Sequence, residues 1–317
     1  SEIHNRGRNI GISQFAWGVG PAIILFLGML LAPDGLLGDS VRRLAVIFHG
    51  DGNPAALDLF GNRLIFLTLF IVAFIAWTQQ RKLNESEEWQ EAKKTAVKQP
   101  SVFGSFGSLF KNAVNVRTIL YLAGIYITWN FVAGVMGMFQ PHIFETAGGL
   151  TNSQSNMLPA IQWLIIVVVT YFGFAMLVDK VNQRWFYFIG TFIGVVAWII
   201  LVTVGIKNLS ALWTFTILWG VHAGLGVQAF YALWASELFP ARYRAAAQGV
   251  MFFAVRGGAA IWSVIFTGIY ASAGFNFSAY IMIGFLIIAL VVGTIWAPKT
   301  RGKSLKQITK ERYGDEI

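Results

Sequence analysis

The sequence contains no cysteine, and this absence excludes disulfide bonds and thiolate metal sites. Charged residues are scarce as well, at 12% of the chain, whereas hydrophobic residues make up 56%. A soluble globular domain usually carries about twice that charged fraction. The composition therefore excludes an ordinary soluble domain and indicates a chain that lies largely in lipid.

The sequence also lacks the patterns that mark catalytic and cofactor sites. It has no Gly-Lys loop for phosphate, no cluster of metal-ligand residues and no nucleophile triad. We therefore expect neither an enzyme, nor a bound cofactor, nor a metal site. The net charge of +9 could indicate nucleic acid, but cations gathered on one side of a membrane explain it better, so no nucleic-acid partner is expected.

Long apolar runs are what the sequence has in abundance. Eight of them reach or approach the roughly 20 helical residues that cross a hydrocarbon core. They lack the alternation of barrel strands, and a helix satisfies its own backbone in lipid. The predicted fold class is therefore an all-α polytopic membrane protein. The predicted spans cover residues 10–32, 62–78, 117–140, 155–178, 185–206, 210–235, 245–271 and 277–297.

Lysine and arginine are unevenly divided between the two sets of loops. Nineteen of the 24 lie on the side that carries the chain start, the middle loop and the tail, and four lie on the other side. Cytoplasmic loops of membrane proteins carry the excess of these cations. We therefore expect a multi-pass protein of the plasma or inner membrane, with its start, middle loop and C-terminus in the cytoplasm.

One sequence cassette occurs twice. Residues 236–244 read Ser-Glu-Leu-Phe-Pro-Ala-Arg-Tyr-Arg and precede a span rich in small residues. Residues 1–8 read Ser-Glu-Ile-His-Asn-Arg-Gly-Arg and precede another such span. An internal repeat of this kind is typical of a secondary transporter.

Three loop sequences resemble motifs of the sugar-porter branch of the major facilitator superfamily. Residues 237–244 are similar to E-x-F-P-x-x-x-R, residues 298–305 to P-E-T-K-G-x-S-L, and residues 83–89 to L-P-E-S-P-R-W. They occur in the family's order and at its spacing along the whole chain. The resemblance implies a major facilitator fold in which this chain supplies the last eight of twelve helices, a fragment without the first four.

The resemblance also implies a domain organisation and a function. Residues 1–78 would be the last two helices of the N-terminal half, 79–116 a cytoplasmic linker, 117–297 the C-terminal six-helix half and 298–317 a cytoplasmic tail. The expected function is alternating-access transport of a small polar solute, a sugar or a polyol such as inositol, by a monomer in the lipid bilayer. Uniport and proton symport both stay open, because the family's coupling Asp lies on a missing helix.

Charges at the cytoplasmic ends of the spans predict a latch. Residues 175–184 resemble the superfamily's G-x-x-x-D-R-x-G-R-R loop, with Ala175 and Asn182 where glycines are usual. A carboxylate at a helix end can pair with an arginine of a neighbouring loop and close that side of a carrier. Charge that only sets the topology is the alternative. The predicted latch residues are Glu2, Arg8, Asp179, Arg184, Glu237 and Arg244.

Arg256 is the most informative residue inside a span. It lies about 12 residues into the span, or about 18 Å, where an unpaired arginine is costly. We expect it to face a cavity as a donor or counter-charge, with bonding to backbone carbonyls as the alternative. Sugar porters usually have Asn-Trp here, whereas Arg-Gly-Gly resembles organic-ion and aromatic-acid carriers. An organic-anion carrier is thus the alternative function, and a membrane sensor on the same scaffold is a third.

Amide and aromatic side chains inside the spans are candidate walls of a solute cavity, since amides pair with hydroxyls and aromatic faces with C–H surfaces. The family's helix 7 amides would fall at Thr128-Trp129 and Gly134 and are not reproduced. His222 is expected to make an interhelical hydrogen bond. The predicted substrate-binding residues are Gln14, Trp17, Thr128, Asn130, Gln162, Gln228, Arg256 and Trp262.

Overall fold

The computed structural model describes residues 5–49, 59–81, 107 and 109–314. Every long regular element in these ranges is a helix. In chain order the helices are α1 Arg6–Leu31, α2 Gly38–His49, α3 Phe60–Gln80, α4 Ala113–Thr146, α5 Asn152–Val169 with a π-helical continuation Thr170–Ala175, α6 Gln183–Val204, α7 Leu209–Leu225, α8 Val227–Leu238, α9 Ala241–Ile295 and α10 Leu305–Tyr313.

Seven helical segments of the described residues are long and apolar enough to cross a membrane. They coincide within a few residues with the eight predicted spans, because the last two spans both fall within α9. The predicted all-helical membrane fold is therefore confirmed. The short helix α2 places Asp39, Arg42 and Arg43 among apolar residues, as expected of an amphipathic segment in the loop between two spans.

Helix α9 is two spanning segments joined at a sharp bend. Its 55 residues would measure about 80 Å if straight, far more than the roughly 30 Å of a hydrocarbon core. At Gly274 the backbone has φ 77° and ψ −177°, a conformation that favours glycine. The rings of Trp262 and Phe285, about equally far before and after the bend, lie 5.0 Å apart. The chain therefore doubles back at Gly274.

The predicted span 210–235 is broken in the structure. Helix α7 ends at Leu225 and α8 begins at Val227, with Gly226 between them at φ −95° and ψ −142°. A β-carbon at Gly226 would lie 2.5 Å from the carbonyl oxygen of His222, so only glycine fits this close approach. A broken helix within a membrane is tolerated where protein or a cavity surrounds it.

The core of the bundle is aromatic. Large side chains from α4, α6, α7, α8 and α9 interdigitate, and Tyr126, Tyr187, Trp198 and Trp234 are almost completely buried. The ring centroids of Tyr187 and Trp234 lie 5.4 Å apart. At this distance an aromatic pair stabilises the fold by more than the burial of its apolar surface alone. By contrast, α3 exposes most of its apolar side chains, as a helix facing lipid does.

Helix α1 packs closely on α5 and its π-helical continuation through a stripe of glycines. A β-carbon at Gly11 would lie 2.4 Å from Cβ of Ala175, and one at Gly18 would lie 3.1 Å from a methyl of Val167. Small residues let helix backbones approach in this way, and such packing drives helix association in lipid. The contact brings α1 against α5, which contributes one wall of the cavity described below.

We predict that Gly11→Ala destabilises the protein by about 1–3 kcal/mol, because the new methyl group has no space beside Ala175. Gly20→Ala on the same helix is the matched control, since no atom lies within 4 Å of its β-carbon position. The control should be neutral or stabilised by up to about 1 kcal/mol through helix propensity. Unfolding of both variants in detergent measures this, and equal stability would contradict the close packing.

Candidate functional site

A cavity of about 250 Å³ lies between α1, α4, α5, α7, α8 and α9. Asn130, Gln162 and Arg256 lie near the middles of the spanning segments that carry them, so the cavity is at mid-depth in the bundle. Indole rings and small apolar residues complete the wall. The polar residues that line it are Gln14, Asn130, Gln140, Gln162, Thr170, Gln228 and Arg256.

Four of the cavity amides form two pairs that link different helices. The Nε2 group of Gln140 on α4 donates to Oε1 of Gln162 on α5 over 2.9 Å, and both residues are buried. The Nε2 group of Gln228 on α8 donates to Oε1 of Gln14 on α1 over 3.2 Å. Each amide has two donor hydrogens and two acceptor lone pairs, so pairing leaves capacity for a solute. The two amide pairs therefore offer both donors and acceptors without themselves carrying a charge.

Four tryptophans supply the aromatic part of the wall. Trp17 of α1 and Trp163 of α5 approach with ring centroids 5.5 Å apart. Trp129 and Trp219 line the cavity from α4 and α7. Indole faces are suited to the C–H surfaces of a small organic solute, and the amides lie among them.

His222 holds one of these tryptophans in place. The indole N–H of Trp129 donates to Nε2 of His222 over 2.9 Å, so that nitrogen is the acceptor. The other ring nitrogen, Nδ1, therefore carries the hydrogen and donates to the carbonyl of Gly190 over 2.8 Å. His222 is completely buried and joins α4, α6 and α7. The predicted interhelical hydrogen bond is confirmed.

Arg256 lines the cavity from α9 and is exposed. Its guanidinium carbon lies 6.0 Å from the ring centroid of Phe252, at the outer limit of a cation–π contact. Among the residues that the structure describes, it has no hydrogen-bond or ion-pair partner. The cavity wall therefore carries one cation whose donors are available.

Of the eight residues predicted to bind substrate, six line the cavity: Gln14, Trp17, Asn130, Gln162, Gln228 and Arg256. Thr128 and Trp262 do not. The hydroxyl of Thr128 donates to the carbonyl of Gly124 in its own helix, and the indole of Trp262 donates to the carbonyl of Phe131.

The list of predicted substrate-binding residues omits five polar or aromatic residues of the wall: Trp129, Gln140, Trp163, Thr170 and Trp219. Gln140 continues the stripe of Asn130, Gly134 and Gly137 along α4 at steps of three to four residues. Helical spacing could have identified it. Nothing in the local sequence separates Thr170 or Trp219 from the other polar and aromatic residues of the spans.

A charge cluster lies at the end of the bundle where α1 begins and α10 packs, which we call the tail end. Nε of Arg6 lies 3.2 Å from Oε1 of Glu237, and the two side chains are only 9% and 3% exposed. Arg6 also donates to the carbonyl of Lys303 over 2.8 Å. This ion pair ties the start of α1 to the end of α8 and to the segment before α10.

Asp179 closes the start of α1 at the same end. Its carboxylate accepts the backbone N–H groups of Gly7 and Arg8 over 3.2 and 3.0 Å. The first turn of a helix has unsatisfied N–H groups and a positive dipole end, so a carboxylate is favoured there. Nε of Arg301 donates to the backbone carbonyl of Asp179 over 3.1 Å and connects the tail to the same loop.

The predicted latch residues are placed as follows. Asp179 and Glu237 are in the charge cluster, whereas Arg8 contributes its backbone N–H and exposes its side chain. Arg184 is exposed, and Arg244 donates to the carbonyl of Phe239 over 3.3 Å. Glu2 lies outside the described residues. Sequence reasoning passed over Arg6 and Arg301, although Arg6 belongs to the paired-arginine cassette that pointed to Arg8.

The arrangement of helices is that of the major facilitator fold. The chain superposes on the proton:xylose symporter XylE bound to 6-bromo-6-deoxy-D-glucose with a TM-score of 0.69, covering 98% of this chain and 68% of that one at 18% identity. A double-tryptophan variant of XylE gives a TM-score of 0.68 at 19% identity, with coverage of 97% and 67%. At these identities the likeness establishes the fold alone.

The chain belongs to the sugar (and other) transporter family, whose model matches residues 57–311. It is 34% identical over 319 residues to the minor myo-inositol transporter IolF of Bacillus subtilis (strain 168), covering 98% of this chain and 66% of that protein. It is 25% identical over 321 residues to the probable inorganic phosphate transporter 1-6 of Arabidopsis thaliana, covering 94% and 55%. The chain thus spans just under two thirds of the first relative and about half of the second. The predicted family is confirmed.

The ion pair at the tail end gives a direct prediction. Arg6→Gln should destabilise the protein by about 3–5 kcal/mol, because it leaves the buried carboxylate of Glu237 without its cation. The double variant Arg6→Gln/Glu237→Gln should recover most of this loss, since no buried charge remains. The free energy of unfolding in detergent, measured for the unchanged protein, the two single variants and the double variant, tests this prediction.

Arg8→Gln is the matched control for this cycle. It removes the same charge two residues away, but the Arg8 side chain is exposed and the bond to Asp179 uses its backbone. We expect a change within about 0.5 kcal/mol. If Arg6→Gln proves as mild as Arg8→Gln, the pair does not stabilise the tail end.

Proposed function

We propose that this protein moves a small neutral polyhydroxylated solute, a sugar or a polyol such as inositol, across the membrane. The observation that carries the proposal is the cavity, in which two amide pairs lie among indole rings at mid-depth. A hydroxyl group both donates and accepts, and so does an amide, so the two match without a charge. The similarity to IolF, which is named as a minor myo-inositol transporter, supports the same class of solute.

The size of the cavity agrees with a small solute. Cavities that bind drug-sized ligands measure about 300–1,000 Å³, and this one measures about 250 Å³. A monosaccharide or a cyclitol is smaller than a drug-sized ligand and presents hydroxyls around its edge with C–H groups on its faces. The amide pairs would bind the edge, and Trp17, Trp129, Trp163 and Trp219 would pack on the faces.

We further propose an arrangement in the membrane. The tail end would face the cytoplasm, because 19 of the 24 lysines and arginines lie in the start, middle loop, tail and loops on that side. Residues 1–78 would belong to the N-terminal half of the carrier, 79–116 to a linker, 117–297 to the C-terminal half and 298–317 to the tail. On this assignment α1 meets α5 at the boundary between the two halves.

The transport cycle follows from that boundary. The tail-end cluster joins α1 of one half to Asp179 and Glu237 of the other half and to Lys303 of the tail. It would therefore hold the cytoplasmic side closed while the solute enters from outside. Opening inward requires those bonds to break, and any change that weakens them shifts the population toward the inward-facing state. Together Arg6, Asp179 and Glu237 would serve as the latch of an alternating-access carrier.

Uptake by protein reconstituted in liposomes tests the function. Gln162→Leu should lower myo-inositol or hexose uptake below saturation about tenfold or more, because the solute and Gln140 both lose an amide partner. Thr128→Val is the matched control, since the Thr128 hydroxyl bonds within its own helix and does not line the cavity. Normal uptake by Gln162→Leu, or no uptake of any neutral polyol by the unchanged protein, would refute the proposal.

An anionic solute is the second candidate, and Arg256 favours it. The guanidinium lines the cavity without a partner among the described residues. One of the similar proteins is named as a probable inorganic phosphate transporter. Arg256→Gln distinguishes the two candidates in the same assay. Neutral-polyol uptake that survives this change supports the first. Uptake of carboxylates or phosphate that the change abolishes supports the second.

The latch predicts a change in accessibility from the tail end. The natural chain has no cysteine, so Ala133→Cys in the cavity wall provides a reporter without background. Adding Asp179→Ala should raise its labelling by an impermeant maleimide from the tail side several-fold, because the bonds to Gly7 and Arg8 are lost. Lys207→Ala, an exposed cation at the other end, is the control. Unchanged labelling in the Asp179 variant would rule out its role in the latch.

A further inference from the structure

A second cavity at the tail end is separate from the proposed solute site. Its volume is about 520 Å³, and it lies between the start of α4, the ends of α8 and α9, and α10. None of its lining residues lines the central cavity. They are Arg117, Thr118, Leu120, Tyr121, Leu238, Val292, Trp296, Pro298 and Arg312.

Among the residues that the structure describes, two arginines and no carboxylate line this tail cavity. Arg117 is exposed and has no hydrogen-bond or ion-pair partner among the described residues. Arg312 is partly buried and donates to the hydroxyl of Thr118, while its Nε is buried with no partner in the described chain. Burial removes water from the guanidinium and lowers the pKa of Arg312 from its usual value. The cavity therefore has unused donors and excess positive charge.

The position of Arg312 is fixed before any ligand arrives. Its neighbour Tyr313 is buried, and the Tyr313 hydroxyl bonds to Oδ1 of Asn115 over 2.7 Å. Helix α10 also buries Ile308 and begins with a capping box at Ser304. A preorganised guanidinium loses little entropy on binding, and its planar fork matches two oxygens of a phosphate.

The apolar residues of the cavity place it beside the lipid. Leu120 is 69% exposed and Trp296 is 63% exposed, and both lie near the tail ends of membrane-spanning helices. Tryptophan is enriched at the level of the lipid headgroups. The walls thus combine a surface for an acyl chain with two cations at headgroup depth. Basic pockets between helices on the cytoplasmic side are suited to anionic lipid headgroups.

We propose that the tail cavity binds an anionic phospholipid, with its phosphate between Arg117 and Arg312 and an acyl chain along Leu120 and Trp296. The bound lipid would join the start of α4, the end of α9 and α10. Since Arg301 and Lys303 in the segment before α10 contact Asp179 and Arg6, the lipid would also support the tail-end cluster.

Lipid retention by the purified protein tests this proposal. Native mass spectrometry compares retention of phosphatidylglycerol and phosphatidylcholine with the same acyl chains. Phosphatidylglycerol should be retained at least fivefold more strongly, and Arg117→Gln should lower its retention about fivefold. Arg312→Gln should have a similar effect. Because Arg117 is exposed, its variant tests the site without disturbing the packing of α10.

Lys306→Gln is the matched control, an exposed cation on α10 outside the cavity. It should leave retention unchanged, and an equal loss would show that general surface charge attracts the lipid. Equal retention of the two lipids would also overturn the proposal. A further experiment adds inorganic phosphate to the lipid-bound protein. If millimolar phosphate displaces phosphatidylglycerol, the site binds soluble phosphate instead. Solute uptake does not enter these readouts, so this proposal and the proposed function can fail separately.

Discussion

Each spanning segment must satisfy its backbone hydrogen bonds without help from water, and the rest of the structure depends on this constraint. Helices satisfy these hydrogen bonds throughout the bundle. The irregular segments lie at the junction of two spans or where protein surrounds them. The bend at Gly274 joins two spans end to end. The break at Gly226 and the π-helical turn Thr170–Ala175 lie in protein-packed regions, and each is next to a cavity residue, Gln228 or Thr170 itself.

The same constraint explains the pairing of the cavity amides and of His222. Gln140 bonds to Gln162, Gln228 bonds to Gln14, and His222 uses both ring nitrogens. An unpaired polar group at this depth would cost free energy, so these groups stabilise helix contacts while no solute is present. Arg256 departs from the rule, because its cation faces the cavity without a partner in the described chain. An ionisable residue at this depth is a hypothesis for a functional site, which is why Arg256 enters the proposed function.

The tail end is held by electrostatics. Arg6 and Glu237 pair in a site that excludes most water, and Asp179 caps the first turn of α1. Such contacts are short in range and have two states, formed or broken, which would suit the opening and closing of the boundary in the proposed transport cycle. The tail cavity lies at the same end, and no carboxylate among its described lining residues neutralises its two arginines. Protein contacts and a lipid headgroup would then act on one set of helix ends.

The amino-acid sequence by itself determined the membrane class, the spans and the family. Long apolar runs allow few alternatives in lipid, because the backbone must be satisfied locally. The loop motifs of residues 237–244 and 298–305 could be recognised in the sequence because the conformation of a loop at a helix end is set by a few charged, proline and glycine residues. Six of the eight proposed binding residues lie on the cavity wall, because polar groups within spans avoid lipid and turn toward the interior.

Only the tertiary structure decided which polar groups converge. Thr128 and Asn130 are two residues apart, yet Asn130 lines the cavity and Thr128 does not, since these positions point to different sides of the helix. The partner of Glu237 is Arg6, more than 200 residues away, and no local pattern distinguishes Arg6 from Arg8. The break at Gly226 depends on how closely His222 approaches it. Each of these depends on distances between helices, which a linear pattern does not contain.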